Sequence, residues 1–203
     1  MDNVSRTIAN LEKNGFHVQH FNSGEEAAQW CLSQARPGLT AACGGSLTLS
    51  QLDLAERLQE LGVDLVRHSG PGLSKEEARL NMRRELLADL YFCSANAITE
   101  QGWIFNTDGT GNRVAATILG PERVFLVVSV DKIVPDLAAA QARVARIAPL
   151  NCQRLKFDTP CALSGRCEDC DSPARSCRVE VTLKRPPRTV DITVVLVDEK
   201  LGL

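Results

Sequence analysis

Aromatic side chains are scarce: six phenylalanines, two tryptophans and one tyrosine in 203 residues. So few rings cannot line a base-stacking platform. A formal net charge of −2 supplies no basic stripe for nucleic acid or an anionic membrane. Long apolar runs are missing too, since the longest, "VFLVV" at 124–128, falls far short of the roughly 20 residues a spanning helix needs. The opening "MDNVSRTIANLEKNG" has no apolar stretch of the signal-peptide kind. These absences lead to the expectation of a cytoplasmic protein with neither nucleic acid nor membrane as a partner. Histidine is also rare. His17, His20 and His68 stand apart with no serine or carboxylate at a telling spacing, and the sequence assigns them no chemistry.

What is present is ordinary for a globular chain, with 44% hydrophobic and 24% charged residues. The length fits a single domain over 1–203. Helical and extended patterns alternate along it. Residues 2–13 read as a helix, "FHVQHF" as a strand, and "SGEEAAQWCLSQA" as a helix opened by Ser23 and Glu26 at capping-box spacing. "LTAAC" and "VDLVRH" read as strands around a helix through "LSQLDLAERLQELG". A long amphipathic helix follows from Ser74 and Glu77. In the second half "YFCSANAIT" and "WIFNT" read as extended, "NRVAATIL" as a helix, and "RVFLVVSV" as a strand buried on both faces. Asp136 caps an alanine-rich helix over 136–148, and "RVEVTLKR" and "DITVVLV" close the chain as strands. This alternation predicts an α/β fold with a largely parallel sheet flanked by helices.

One segment has no such period. "TPCALSGRCEDCDSPARSC" carries Cys161, Cys167, Cys170 and Cys177 in the spacing Cys-x5-Cys-x2-Cys-x6-Cys. It reads as a Cys-rich loop over 159–178 set into a finished scaffold and adding nothing to the core. In a reducing compartment clustered thiols point to metal rather than disulfides. Four thiolates suit tetrahedral zinc or a 4Fe–4S cluster. Reduced, solvent-facing thiols are the plain alternative. Cys31, Cys43, Cys93 and Cys152 read as small buried hydrophobes.

Two glycine-rich turns are the candidate ligand sites. In "CGGSLT", Gly44 and Gly45 permit close approach, while Ser46 and Thr48 offer hydroxyls at the start of a helix, an arrangement suited to phosphate or carboxylate. In "NTDGTGNR", Asn106, Asp108, Gly109, Thr110, Gly111, Asn112 and Arg113 form a turn running into a helix. There Arg113 could pair with an anion or simply with an acidic neighbour. Glu100, in the turn before this loop, is a candidate base or nucleophile, although turn carboxylates are usually solvated.

Taken together, "SANAITEQGWIFNTDGTGNRVAATILGPERVFLVVSVDKIV", "GGSLT" and "TPCALSGRCEDC" resemble the lactate-utilization (LUD) domain family in a short cysteine-containing form. The resemblance implies a fold similar to the ribose-5-phosphate isomerase, glucosamine-phosphate deaminase and CoA-transferase group. It implies ligand contacts at Gly44, Gly45, Ser46 and Thr48 and at Gly109 through Arg113. It also implies a role beside subunits that carry iron–sulfur clusters and oxidise L-lactate to pyruvate, which favours a 4Fe–4S cluster over zinc at the four cysteines. The chain would then bind a small anionic metabolite as an accessory or redox-linked subunit. The rival expectation is a stand-alone isomerase, hydrolase or acyl-transfer enzyme with structural zinc and Glu100 at its centre.

Overall fold

The run Val124–Val128 explains the architecture around it. Alternate side chains of a strand point to opposite faces. Val124, Leu126 and Val128 accordingly enter one buried cluster, and Phe125 and Val127 enter another on the far side. A strand buried on both faces needs helices on both, and the computed structural model, which describes residues 2–70 and 72–203, supplies them. In chain order the elements are α1 (Asn3–Lys13), β1 (His17–Phe21), α2 (Gly24–Ser33), β2 (Thr40–Cys43), α3 (Leu47–Gln51), α4 (Leu54–Glu60), β3 (Asp64–Val66), α5 (Lys75–Arg84), β4 (Leu90–Cys93), β5 (Ala97–Thr99), β6 (Ile104–Asp108), α6 (Asn112–Ile118), β7 (Arg123–Ser129), β8 (Ile133–Val134), α7 (Leu137–Arg154), α8 (Pro160–Ser164), β9 (Val179–Leu183) and β10 (Asp191–Val197).

Six strands form one sheet in the order β1-β10-β7-β4-β2-β3, parallel at every pairing. The expected α/β fold with a parallel sheet flanked by helices is therefore what the chain adopts. Ser23 and Ser74 each complete a capping box with Glu26 and Glu77, and Asp136 caps α7. Each cap is worth about 1 kcal/mol. Phe92 and Phe125 stack at 4.9 Å on adjacent strands, with Trp30 packed edge-on against Phe125.

Three features depart from the expectation. First, residues 91–99 are not one extended segment: β4 ends at Cys93 in the large sheet, and β5 starts at Ala97 in a second, four-stranded sheet ordered β8-β5-β6-β9. Second, α7 continues through Pro149 to Arg154 instead of ending near 148. Third, the cysteine segment does contribute to the core. Thr159 caps α8, Pro160 occupies its first turn where a missing N–H costs nothing, and Cys161 is buried. Among the described residues, no helix is long and apolar enough to cross a membrane.

Candidate functional site

In open parallel sheets the crevice that takes ligands lies beyond the carboxyl ends of the strands. Here the chain leaving β2, β4, β7 and β10 surrounds a cavity of about 460 Å³ at that end. Gly45 to Thr48 follow β2, Ser94 to Asn96 occupy the break after β4, Lys132 follows β7, and Gly202 follows β10. The second glycine turn and one wall of the cysteine segment complete the lining. Residues 174–178 of the cysteine segment and both glycine turns thus border one cavity.

The glycine turns divide their work. A Cβ on Gly44 would stand 2.8 Å from Tyr91 Oη and 3.1 Å from Cys93 Cβ, so Gly44 lets β2 leave the sheet against β4. Its N–H donates to the Phe92 carbonyl. Gly45 is different: it lines the cavity with only His68 Nε2 near its open side, 3.9 Å from where a Cβ would lie. Ser46 caps α3 by accepting from the Leu49 N–H, and Thr48 is buried with its hydroxyl facing Lys132.

In the second turn, Gly109 sits where a Cβ would be 2.8 Å from the Ser176 carbonyl oxygen, which docks the turn on the cysteine segment. Gly111 has φ +88°, a left-handed conformation that glycine adopts without strain. Asn106 is buried and accepts from the Asn96 N–H, while Thr110 lines the cavity wall. Arg113 is occupied by the protein itself. Its Nε donates to Asp108 Oδ1 at 2.9 Å, Nη1 to the Ser94 carbonyl at 3.2 Å, and Nη2 to Asn96 Oδ1 and the Thr107 carbonyl. Asp108 also accepts from the Val114 N–H. Of the two readings open for Arg113, the acidic neighbour is the one the geometry realises, and the arginine clamps the β4–β5 break to the turn.

Two groups that the sequence analysis passed over hold the chemistry of the cavity. Lys132 is 4% exposed, with Nζ 3.0 Å from Thr48 Oγ1 and 3.4 Å from Ser94 Oγ. Burial first, with Arg143 and Arg113 beside it, pulls its ammonium down to about 8 against the opposing charge of Asp131. It follows the strand with the longest apolar run of the chain, inside the "DKIV" stretch, and that placement was the available signal. The other group is His68, whose Nδ1 hydrogen-bonds the fully buried Glu85. Asn112 donates to the second oxygen of the same carboxylate, at 3.4 Å.

Glu100 lies elsewhere. It caps the β5–β6 turn against α1, accepting from Arg6 Nη1, while its carbonyl accepts from Asn10 Nδ2. It does not line the cavity.

Cys177 does line the cavity. Arg175 organises its segment by donating to the carbonyls of Cys177 and Cys170 and to Asp169. Cys152, expected as an isolated buried hydrophobe, has its Sγ 3.1 Å from Ser176 Oγ. Burial pushes the Cys161 thiol up, with Cys152 and Cys170 adding to the effect. Burial likewise raises Cys177, with Cys152 and Cys167 adding. Cys152 thus stands within electrostatic reach of both Cys161 and Cys177, while Cys170 reaches the former and Cys167 the latter. They do not converge: among the described residues, no group of three or more His, Cys, Asp or Glu side chains is placed to hold a metal ion. Cys167 is exposed while Cys161 is buried. The donor chemistry suits zinc or an iron–sulfur cluster, but the placement of the thiols does not fit either.

The family model described as the LUD domain matches residues 4–197. A DUF162 family protein from Deinococcus radiodurans is 16% identical over 96% of both chains, with a TM-score of 0.54. Ribose 5 phosphate isomerase A from Neisseria gonorrhoeae is 15% identical over 63% of this chain and 64% of its own, at a TM-score of 0.34. A D-ribose-5-phosphate isomerase in complex with phospho-erythronic acid is 16% identical over 63% and 66%, at 0.38. At 16% identity the likeness to the Deinococcus radiodurans protein concerns the fold alone. No curated protein matches the sequence.

Proposed function

This chain belongs to the LUD-domain family, and we propose that it is a lactate-utilization protein whose cavity binds a small carboxylate with Lys132 as the anchoring cation. The supporting observation is a buried ammonium that meets two hydroxyls and, among the described residues, ion-pairs with no carboxylate. A cation removed from water is costly unless an anion meets it. The surrounding charge agrees. The chain as a whole carries −2, yet the charged side chains lining the cavity are Lys132, Arg113, Arg154, Arg175 and Arg178 with Asp108 as the one acidic side chain among them. The local field therefore favours an anion.

A six-heavy-atom acid takes up roughly the space of three or four waters, about 100 Å³. The cavity has room for that and for a longer body along Val144, Ile147, Ala148, Leu155 and Phe157. In this reading the chain serves L-lactate oxidation to pyruvate in the cytoplasm as an accessory or redox-linked subunit, and companions carrying iron–sulfur clusters take the electrons. The carboxylate site does not depend on a metal at Cys161, Cys167, Cys170 and Cys177. Iron, sulfide and zinc analysis of protein purified without oxygen decides that question separately.

Calorimetric titration with L-lactate and with pyruvate tests the reading. Wild-type protein is expected to bind at least one of them, and Lys132→Met to weaken that binding at least about tenfold, as loss of a buried charge contact does. Equal affinity in the two proteins would remove Lys132 from the site.

A further inference from the structure

Glu85 is fully buried, and a buried carboxylate needs its hydrogen bonds. Both oxygens are met, one by His68 and the other by Asn112 at the start of α6. The carboxylate faces Nδ1, so it holds the ring proton there and leaves the Nε2 lone pair outward. The imidazole side chain is 14% exposed and borders the same cavity as Lys132. Its Nε2 points past Gly45, where the missing side chain leaves it open. No hydroxyl or thiol among the described residues hydrogen-bonds the ring. The thiols at the ends of β2 and β4 are no nucleophiles either: burial pushes Cys43 far up, and Cys93 up to about 12. The imidazole therefore does not activate a protein nucleophile, and its outer nitrogen lies at Gly45, where this cavity adjoins a second pocket lined by Cys43, Asp53 and Arg67.

We propose that His68 is a catalytic base of this cavity, positioned by Glu85, and that it serves reversible proton transfer at the carbon beside the carbonyl of a 2-oxo carboxylate. This rests on the reading that the cavity binds a carboxylate. The C–H bond breaks and its proton passes to Nε2. The electron pair forms the carbon–carbon double bond, and the carbonyl oxygen takes the negative charge as an enolate. Lys132, with the hydroxyls of Thr48 and Ser94, is the cationic cluster that faces such an oxygen. The reverse steps return a proton from Nε2 to carbon. Nothing is oxidised or reduced, and no co-reactant is consumed.

The test is exchange of the pyruvate methyl protons in D2O, followed by proton NMR beside a calorimetric measurement of pyruvate affinity. Wild-type protein is expected to bind pyruvate and to exchange its methyl protons well above the buffer rate. His68→Gln should keep the affinity and lose about a hundredfold in exchange. Glu85→Gln should lower the exchange rate at saturating pyruvate without changing the concentration that half-saturates it, and its imidazole nitrogen spectrum should lose the Nδ1–H tautomer. Wild-type protein that binds pyruvate yet exchanges it at the buffer rate overturns the proposal and leaves the carboxylate reading standing. So does His68→Gln exchanging at the wild-type rate. If neither pyruvate nor L-lactate binds, the carboxylate reading and this proposal fall together.

Discussion

Replacing Lys132 with methionine separates the price of the buried charge from its use. In the unfolded chain the ammonium titrates near its ordinary 10.5, and in the folded protein burial pulls it to about 8. Below pH 8 both states hold the proton, and the folded state does so at a cost. The gap between 10.5 and about 8 corresponds to roughly 3 kcal/mol. Between pH 8 and 10.5 the folded protein has released the proton while the unfolded chain still holds it, so stability rises with pH across that window. Above 10.5 neither state holds it and the gain stops. Methionine is one atom shorter, keeps the unbranched apolar stem and removes the charge. At pH 7 it gives up two hydrogen bonds worth about 1 kcal/mol each. The variant should therefore be more stable than wild type there, by roughly 1 kcal/mol. Wild type should overtake it by about 2 kcal/mol as pH passes 10. Urea denaturation of both proteins from pH 7 to 10.5 reads this directly, and every other titrating group cancels in the difference. A difference that stays flat across the window would mean that Lys132 is a solvated cation, and the argument for its anionic ligand would go with it. Binding gives an independent check. A bound carboxylate restores the ammonium, so titration at pH 8 in buffers of different ionisation heat should show uptake approaching about half a proton per site.

Arg113→Ala leaves Asp108, 11% exposed, without its partner and releases the carbonyls of Ser94 and Thr107. A loss of about 3 kcal/mol or more in chemical denaturation is expected, whereas a variant as stable as wild type would mean the clamp is idle. Glu100→Gln should leave carboxylate affinity unchanged and cost under about 1 kcal/mol, since its partner Arg6 is half exposed. Loss of binding in that variant would return Glu100 to the site. Gly202→Ala places a Cβ 2.5 Å from Thr48 Oγ1 and 2.7 Å from Lys132 Nζ, at φ +78°. It should cost about 1 kcal/mol or more and weaken carboxylate binding by displacing the ammonium, and unchanged affinity would place the ligand away from Lys132.

The elements of the large sheet were legible wherever the information is local. Ser23 with Glu26 and Ser74 with Glu77 announce their helices because a cap acts over three residues. The unbroken apolar run of β7 announces burial on both faces because the strand period is two. The break between β4 and β5 has no such local cause. Ser94, Ala95 and Asn96 contain neither glycine nor proline, and what bends the chain there arrives from far along the sequence. Arg113 takes the Ser94 carbonyl and Arg143 the Asn96 carbonyl, at 2.9 Å in the latter case. Without that break the second sheet could not be foreseen.

The same distinction separates what could and could not be read of the site. Residue spacing measures distance along the chain, so Cys161, Cys167, Cys170 and Cys177 looked like one ligand set. Cys152, remote in sequence, is nevertheless the thiol brought against Ser176. Lys132 and His68 gain their meaning only when the ends of β7 and β3 are brought to one cavity. The glycines show why pattern alone assigns roles poorly. Gly44 makes room for Tyr91 and Cys93, Gly109 for the Ser176 backbone, and Gly45 alone of these opens onto the cavity beside an imidazole. A missing Cβ has the same signature in sequence whether a strand, a loop or a ligand comes close. Only the neighbours say which, and they point to Gly45 as the glycine whose replacement by alanine would crowd the approach to His68.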